Sequence, residues 1–200
     1  MEEVIFLKIL GIVGSARKGG NTEIMVREAL DAARQVGAET ELILVADKSI
    51  AGCDGCEVCY KSGICKIKDD MVPIYEQLKE ADGIIFGTPV YYGDFSSQAK
   101  AVIDRAHALR FGAGLKGNSH LAGKVAGGII VTRRVGGGQV RGLLYNIFLA
   151  HDMIPVRAAI GYGRAKGDIK EGVGGLQGLT ALQEARELGE RVVKMVKRLS

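Results

Sequence analysis

Apolar residues fall into short, nearly unbroken runs at 5–12, 40–46, 83–88, 124–132 and 155–160. Runs of this length, rich in Ile, Val and Leu and without polar alternation, describe strands buried on both faces, as in a parallel sheet. Between them, at 21–36, 71–81, 96–110, 138–151 and 178–198, apolar positions recur at helical spacing. Asp69 and Asp70 stand ready to cap the second of these helices, and Pro73 fits its first turn. The last helix carries Leu182, Leu188, Val192 and Val196 on one side and Arg191, Lys194, Lys197 and Arg198 near its end. That pattern predicts a docked C-terminal helix with a solvated basic face rather than a membrane-seeking one. Strand and helix alternate with no repeat, linker or low-complexity tract, which predicts one doubly wound α/β domain over residues 1–200. The Gly-rich stretch 161–178 reads as a long loop.

The N-terminal apolar run invites comparison with a signal peptide. Its leader is Met1-Glu2-Glu3, acidic where a secretory signal is basic, and Lys8 interrupts the run, so a buried first strand is the better reading. No stretch reaches the roughly 18 apolar residues of a membrane span, and a cytoplasmic protein with reduced cysteines is expected. The net charge of +4 suits an anionic ligand but is too small to argue for nucleic acid.

Loop chemistry narrows the function. The first strand runs into Gly14-Ser15-Ala16-Arg17-Lys18-Gly19-Gly20-Asn21-Thr22 and then a helix. Small residues at such a junction let backbone N–H groups and the helix dipole face an anion. Ser15, Arg17, Asn21 and Thr22 add the donors that a phosphate monoester needs, with Gly20 beside them. Gly20 and Asn21 stand where a Walker A loop has Lys and Ser/Thr, and no G-x-G-x-x-G opens the helix. A plain Gly-rich turn capped by Asn21 is the alternative. After the third strand, Pro89-Val90-Tyr91-Tyr92-Gly93 puts flat side chains at the sheet edge where open α/β folds bind ligands. After the fourth, Thr132-Arg133-Arg134-Val135-Gly136-Gly137 permits close backbone approach.

The strings GSARKGGNTE and GTPVYYGDFSSQAKAVIDR, with the Gly-rich fourth loop, resemble the NAD(P)H-dependent FMN reductase branch of the flavodoxin-like proteins. The resemblance covers roughly residues 4–160. It implies strand order 2-1-3-4-5 with FMN at the switch point between strands one and three. By position, Ser15, Arg17, Asn21 and Thr22 would hold the FMN phosphate. Pro89, Val90, Tyr91, Tyr92 and Gly93 would line the isoalloxazine, and Thr132, Arg133, Gly136 and Gly137 would border its other side.

The chain's four cysteines, Cys53, Cys56, Cys59 and Cys65, fall within thirteen residues as C-x2-C-x2-C-x5-C. In a reducing compartment such crowding points to metal and not to disulfides. Zinc accepts four cysteines but favours two C-x2-C hooks across a longer spacer. Successive short gaps match more closely the compact runs that wrap an iron–sulfur cluster. Nearby Lys61, Lys66 and Lys68 would offset the negative charge of a cluster, or are merely solvated. The motif resembles that of archaeal-type iron–sulfur flavoproteins, which implies a [4Fe-4S] cluster beside FMN and a homodimer or dimer-based tetramer. Cluster-free relatives also carry cysteines here, so free thiols and zinc stay open. His107, His120 and His151 are dispersed and read as structural.

The expectation is an oxidoreductase without a catalytic side chain of its own, the flavin carrying the chemistry. Electrons would pass from a ferredoxin-like donor through the cluster to FMN and on to a small acceptor such as a quinone, dioxygen or peroxide. The alternatives are a cluster-free NAD(P)H-dependent FMN or quinone reductase, and a redox-sensing regulatory protein.

Overall fold

A computed structural model describes residues 7–111, 119–175 and 178–200. Strand β1 (Leu7–Val13) pairs in parallel with β2 (Ala38–Leu44) on one side and β3 (Gly83–Pro89) on the other. Beyond β3 lies β4 (Val125–Thr132), which pairs with two short strands, β5 (Ile154–Pro155) and β6 (Ala159–Tyr162). The order β2-β1-β3-β4-β5 is the doubly wound order implied by the resemblance. Residues 5 and 6 of the expected first strand lie outside the described residues.

Near-continuous apolarity follows from burial on both faces. On one face, Ile9, Val13, Ile85 and Ile129 meet helices α1 (Asn21–Gln35) and α6 (Ala181–Leu199). On the other, Leu10, Ile12, Phe86 and Ile130 meet α3 (Met71–Glu80), α4 (Ser97–Ala106) and α5 (Gly137–Ala150). Helix α6 approaches α1 so closely that a Cβ on Gly189 would stand 2.0 Å from the Ala29 carbonyl oxygen. Thr180 and Gln183 close a capping box at its start, three residues later than the apolar spacing predicts. Among the described residues, no helix is long and apolar enough to cross a membrane.

Several expectations need correction. The single strand predicted at 155–160 is broken in two. The offset to β4 is 29 residues at Val125–Ile154 and 30 at Ile129–Ala159, so one extra residue is absorbed between them. The Tyr145 hydroxyl fills the gap, donating to the Val156 carbonyl and accepting from the Ala158 N–H, both at 2.9 Å. The helix predicted over 96–110 is α4 followed by a 3₁₀ turn at His107–Arg110. A five-residue helix that the spacing does not predict, α2 (Val58–Ser62), lies inside the cysteine segment. The stretch 161–178 is only partly loop, since β6 reaches Tyr162, a 3₁₀ turn covers Asp168–Glu171, and bridges join Gly161 to Gly174 and Val173 to Thr180. Residues 176 and 177 of that stretch lie outside the described residues.

Candidate functional site

A cleft of about 300 Å³ opens at the C-terminal ends of β1, β3 and β4, the switch point of the sheet. Its floor is the first loop. Gly14 N–H donates to the Gly87 carbonyl at 2.8 Å, and the Ser96 hydroxyl at the start of α4 bonds the Gly14 carbonyl. A Cβ on Gly14 would sit 2.6 Å from that of Ala99, so only glycine lets the loop lie against α4. Ser15 is buried and accepts from the Arg17 N–H at 3.2 Å. The cap of α1 is Gly20, not Asn21. The buried Glu23 carboxylate is spent on the Gly19 N–H (2.6 Å) and Arg27 Nε (2.8 Å), shaping the loop from below. The first-turn amides of α1, which have no carbonyl within the helix to bond, sit beside the cleft.

The cleft gathers Ser15, Arg17, Gly20, Asn21, Thr22, Pro89, Val90, Tyr91, Thr132 and Arg133 from three separate loops, all anticipated from sequence. Tyr92, Gly93, Gly136 and Gly137 do not line it. Tyr92 (φ 51°) and Gly93 (φ 80°) form the corner of a tight hairpin closed by paired bonds between Tyr91 and Asp94, and Tyr92 projects fully into solvent. Gly136 (φ 90°) caps α5 against Val90, and Gly137 packs under Ile160.

One wall escaped the sequence reading. Gly163, Arg164, Ala165 and Lys166, following β6, close the cleft from the far side. Asn21 holds them there: its amide nitrogen donates to the Ala165 carbonyl and to Asp168 Oδ1 at 2.8 Å, and its oxygen accepts from the Gly167 N–H at 2.7 Å. Asp168 also accepts from the Arg164 and Ala165 amides, and these bonds hold its carboxyl below the usual range. Gly163 is needed because a Cβ would lie 2.3 Å from Asn21 Nδ2. Arg17, Arg133, Arg164 and Lys166 thus surround one cleft, with no carboxylate paired to any of them among the described residues. A dense cationic rim over N–H donors fits a phosphorylated ligand.

The cysteines form a second constellation. Left-handed residues Gly55 (φ 68°), Glu57 (φ 61°) and Gly63 (φ 68°) wind the chain tightly around α2. All four cysteines line one small cavity of about 30 Å³, with Ile67, Arg105, His107 and Ala108 as its inner wall. No disulfide joins any of the four, and burial pushes the Cys59 thiol up. Among the described residues no three His, Cys, Asp or Glu side chains converge where a single ion would sit. Four thiols facing one cavity are a donor set that suits a cluster. Lys66 pairs with Asp54 at 2.8 Å, which lowers the Asp54 carboxyl to about 2.

Of the dispersed histidines, His107 is brought to the cysteine cavity, where its ring stacks edge-on with Tyr60 and Phe111 at 5.5 and 4.9 Å. His151 is buried, with Nδ1 2.8 Å from the Ser119 hydroxyl, and burial followed by the nearby Arg110 charge pushes it down to about 4.

The family model for NADPH-dependent FMN reductase matches residues 7–166. An iron–sulfur flavoprotein of Methanocaldococcus jannaschii is 41% identical over 96% of this chain and 98% of its own length. Another, from Methanosarcina thermophila, is 38% identical over 75% of this chain and 77% of its own. An NAD(P)H:quinone oxidoreductase structure from Methanothermobacter marburgensis superposes with a TM-score of 0.73 at 14% identity, covering 94% of this chain and all of that one, a likeness of fold. With its matching motifs, its sheet order and these relatives, the chain belongs to the NADPH-dependent FMN reductase family and, within it, to the iron–sulfur flavoproteins.

Proposed function

We propose that this oxidoreductase binds FMN in the cleft and a [4Fe-4S] cluster on Cys53, Cys56, Cys59 and Cys65. The observation that carries the reading is that all four cysteines of the compact motif face one cavity. Ser15, Thr22 and the first-turn amides of α1 bind the FMN phosphate, with Arg17 neutralising it and Lys166 reaching over the loop. Pro89, Val90 and Tyr91 flank the ring on one side, Thr132 and Arg133 on the other. When bound, the cluster supplies one-electron capacity and FMN two-electron capacity, linking a ferredoxin-like donor to a small-molecule acceptor. The protein's share is to hold the phosphate, orient the ring and keep the thiolates in place. Exposed Tyr92 and Val135 near the cleft support assembly as a homodimer or a dimer-based tetramer, and four crowded cysteines serving a metal group suit the cytoplasm.

Iron, acid-labile sulfide, zinc and FMN are to be measured on anaerobically purified protein. About four irons and four sulfides per FMN is the expected result for a compact four-cysteine cluster site. Flavin with neither iron nor sulfide would overturn the cluster. A second reading, direct hydride supply by NAD(P)H, is favoured by Arg133 and Arg164, cations beyond those one phosphate needs. Anaerobic stopped-flow separates the two, since fast bleaching of the flavin by NADPH supports hydride supply and no bleaching supports a protein donor.

A further inference from the structure

The cysteine segment leaves and rejoins the fold through a neck closed by one buried ion pair. Arg105, at the end of α4, has a wholly inaccessible side chain. Its Nη1 and Nη2 donate to the two carboxylate oxygens of Asp69 at 2.7 and 3.1 Å. The same nitrogens donate to the carbonyls of Ala51 at 3.0 Å and Ile67 at 3.1 Å, one on each limb of the segment. Asp69 in turn accepts from the amides of Ala51 (2.9 Å) and Met71 (3.0 Å). Burial works against the Arg105 charge, but the Asp69 carboxylate that accepts its hydrogen bonds outweighs the penalty and holds the guanidinium firmly protonated. The Tyr75 hydroxyl donates to the Arg105 carbonyl at 3.1 Å, fixing the end of α4 beside the same network.

One guanidinium donor is left over. Arg105 Nε is buried with no hydrogen-bond partner among the described residues, and Arg105 walls the cavity that the four cysteines line. A neck clamp uses only the two Nη groups. A buried N–H without an acceptor is rare enough to require an explanation, such as a bound group that supplies one. A cluster on four thiolates is anionic, its sulfurs accept hydrogen bonds, and such bonds set its reduction potential.

We propose that Arg105 is a positioning residue for the cluster, its Nε–H donating to a cluster sulfur and raising the cluster's reduction potential. This rests on the iron–sulfur reading of the cysteine cavity. The test uses full-length protein labelled with ¹⁵N at arginine Nε, reduced with dithionite and studied by electron spin-echo envelope modulation. A ¹⁵N coupling to the reduced cluster is expected in the unsubstituted protein and in Arg110→Lys, and not in Arg105→Lys. Redox titration of Arg105→Lys should place the cluster potential lower by about 59 mV, a tenfold change in a one-electron equilibrium, with FMN content unchanged. A cluster without arginine coupling, or a fully loaded Arg105→Lys whose potential is unmoved, overturns the proposal alone. Unsubstituted protein without iron and sulfide overturns the cluster reading and the proposal together. Should Arg105→Lys fail to fold, the labelled unsubstituted protein decides the matter by itself.

Discussion

Replacing Asn21 with alanine removes three hydrogen bonds at once: those to the Ala165 carbonyl, to Asp168 Oδ1 and from the Gly167 amide. Each such bond contributes about 0.5–1.5 kcal/mol net, and partial exposure puts these at the lower end, so the clasp holds the 163–168 wall with about 2 kcal/mol. If the wall must be closed for FMN to be retained, that energy passes into affinity, and 2 kcal/mol corresponds to a Kd about 30-fold higher at 1.4 kcal/mol per decade. FMN titration followed by flavin fluorescence measures the affinity, and amide hydrogen exchange over residues 163–168 measures the closure. The reasoning requires both to change, with faster exchange in the alanine variant even before FMN is added. Unaltered exchange with weakened FMN binding would mean that Asn21 acts on the phosphate directly. An affinity within twofold of the original would refute any role of the clasp in retention.

Gly189→Ala drives a methyl into the Ala29 carbonyl, 2.0 Å away, and should cost about 3 kcal/mol in urea unfolding as α6 is pushed off α1; a loss under about 0.5 kcal/mol would show that the helices slide freely. Burial holds His151 neutral down to about 4, against 6.5 in the unfolded chain, so as pH falls the unfolded state takes up the proton first. The stability tied to His151 is therefore complete above pH 6.5 and drains away between 6.5 and 4, by roughly 3 kcal/mol at 1.36 kcal/mol per pH unit. The difference in stability between the original chain and His151→Asn, measured by denaturant titration across that window, should trace this loss. Tyr145→Phe leaves the Val156 carbonyl and Ala158 amide without their shared hydroxyl and should lower stability by about 1–3 kcal/mol while FMN affinity stays level.

The parts legible in the sequence are those that local chemistry specifies. Unbroken apolar runs gave away strands buried on both faces, and the small residues from Gly14 to Thr22 marked a strand-to-helix junction built around backbone donors. What escaped depends on contacts distant in the chain. The break between β5 and β6 is made by the hydroxyl of Tyr145, fourteen residues before the strand resumes at Ala159, and no periodicity encodes it. Helix α2, with five residues, is too short for a repeating pattern to register. Arg105 sits in an amphipathic stretch where an arginine normally faces water, and only its partner Asp69, 36 positions earlier, reveals why it is buried. The cations at 164 and 166 looked like ordinary loop residues until Asn21 folded them onto the cleft. Gly137, chosen for close approach to a ligand, is instead a glycine because Ile160 would stand 2.9 Å from a Cβ there.

Helix α4 touches both constellations. Its capping Ser96 bonds the floor of the cleft at Gly14, and Arg105, nine positions on, forms the wall of the cysteine cavity. At 1.5 Å per residue those two points stand roughly 13 Å apart along a single rigid rod. The rod works as a ruler. Electron tunnelling weakens exponentially with distance, so with FMN in the cleft and a cluster on the cysteines the length of this helix would bear on the pace of exchange between them within one chain. Lengthening α4 by one turn would move its two ends about 5.4 Å further apart, so the length of this one helix is tied to the position of both sites.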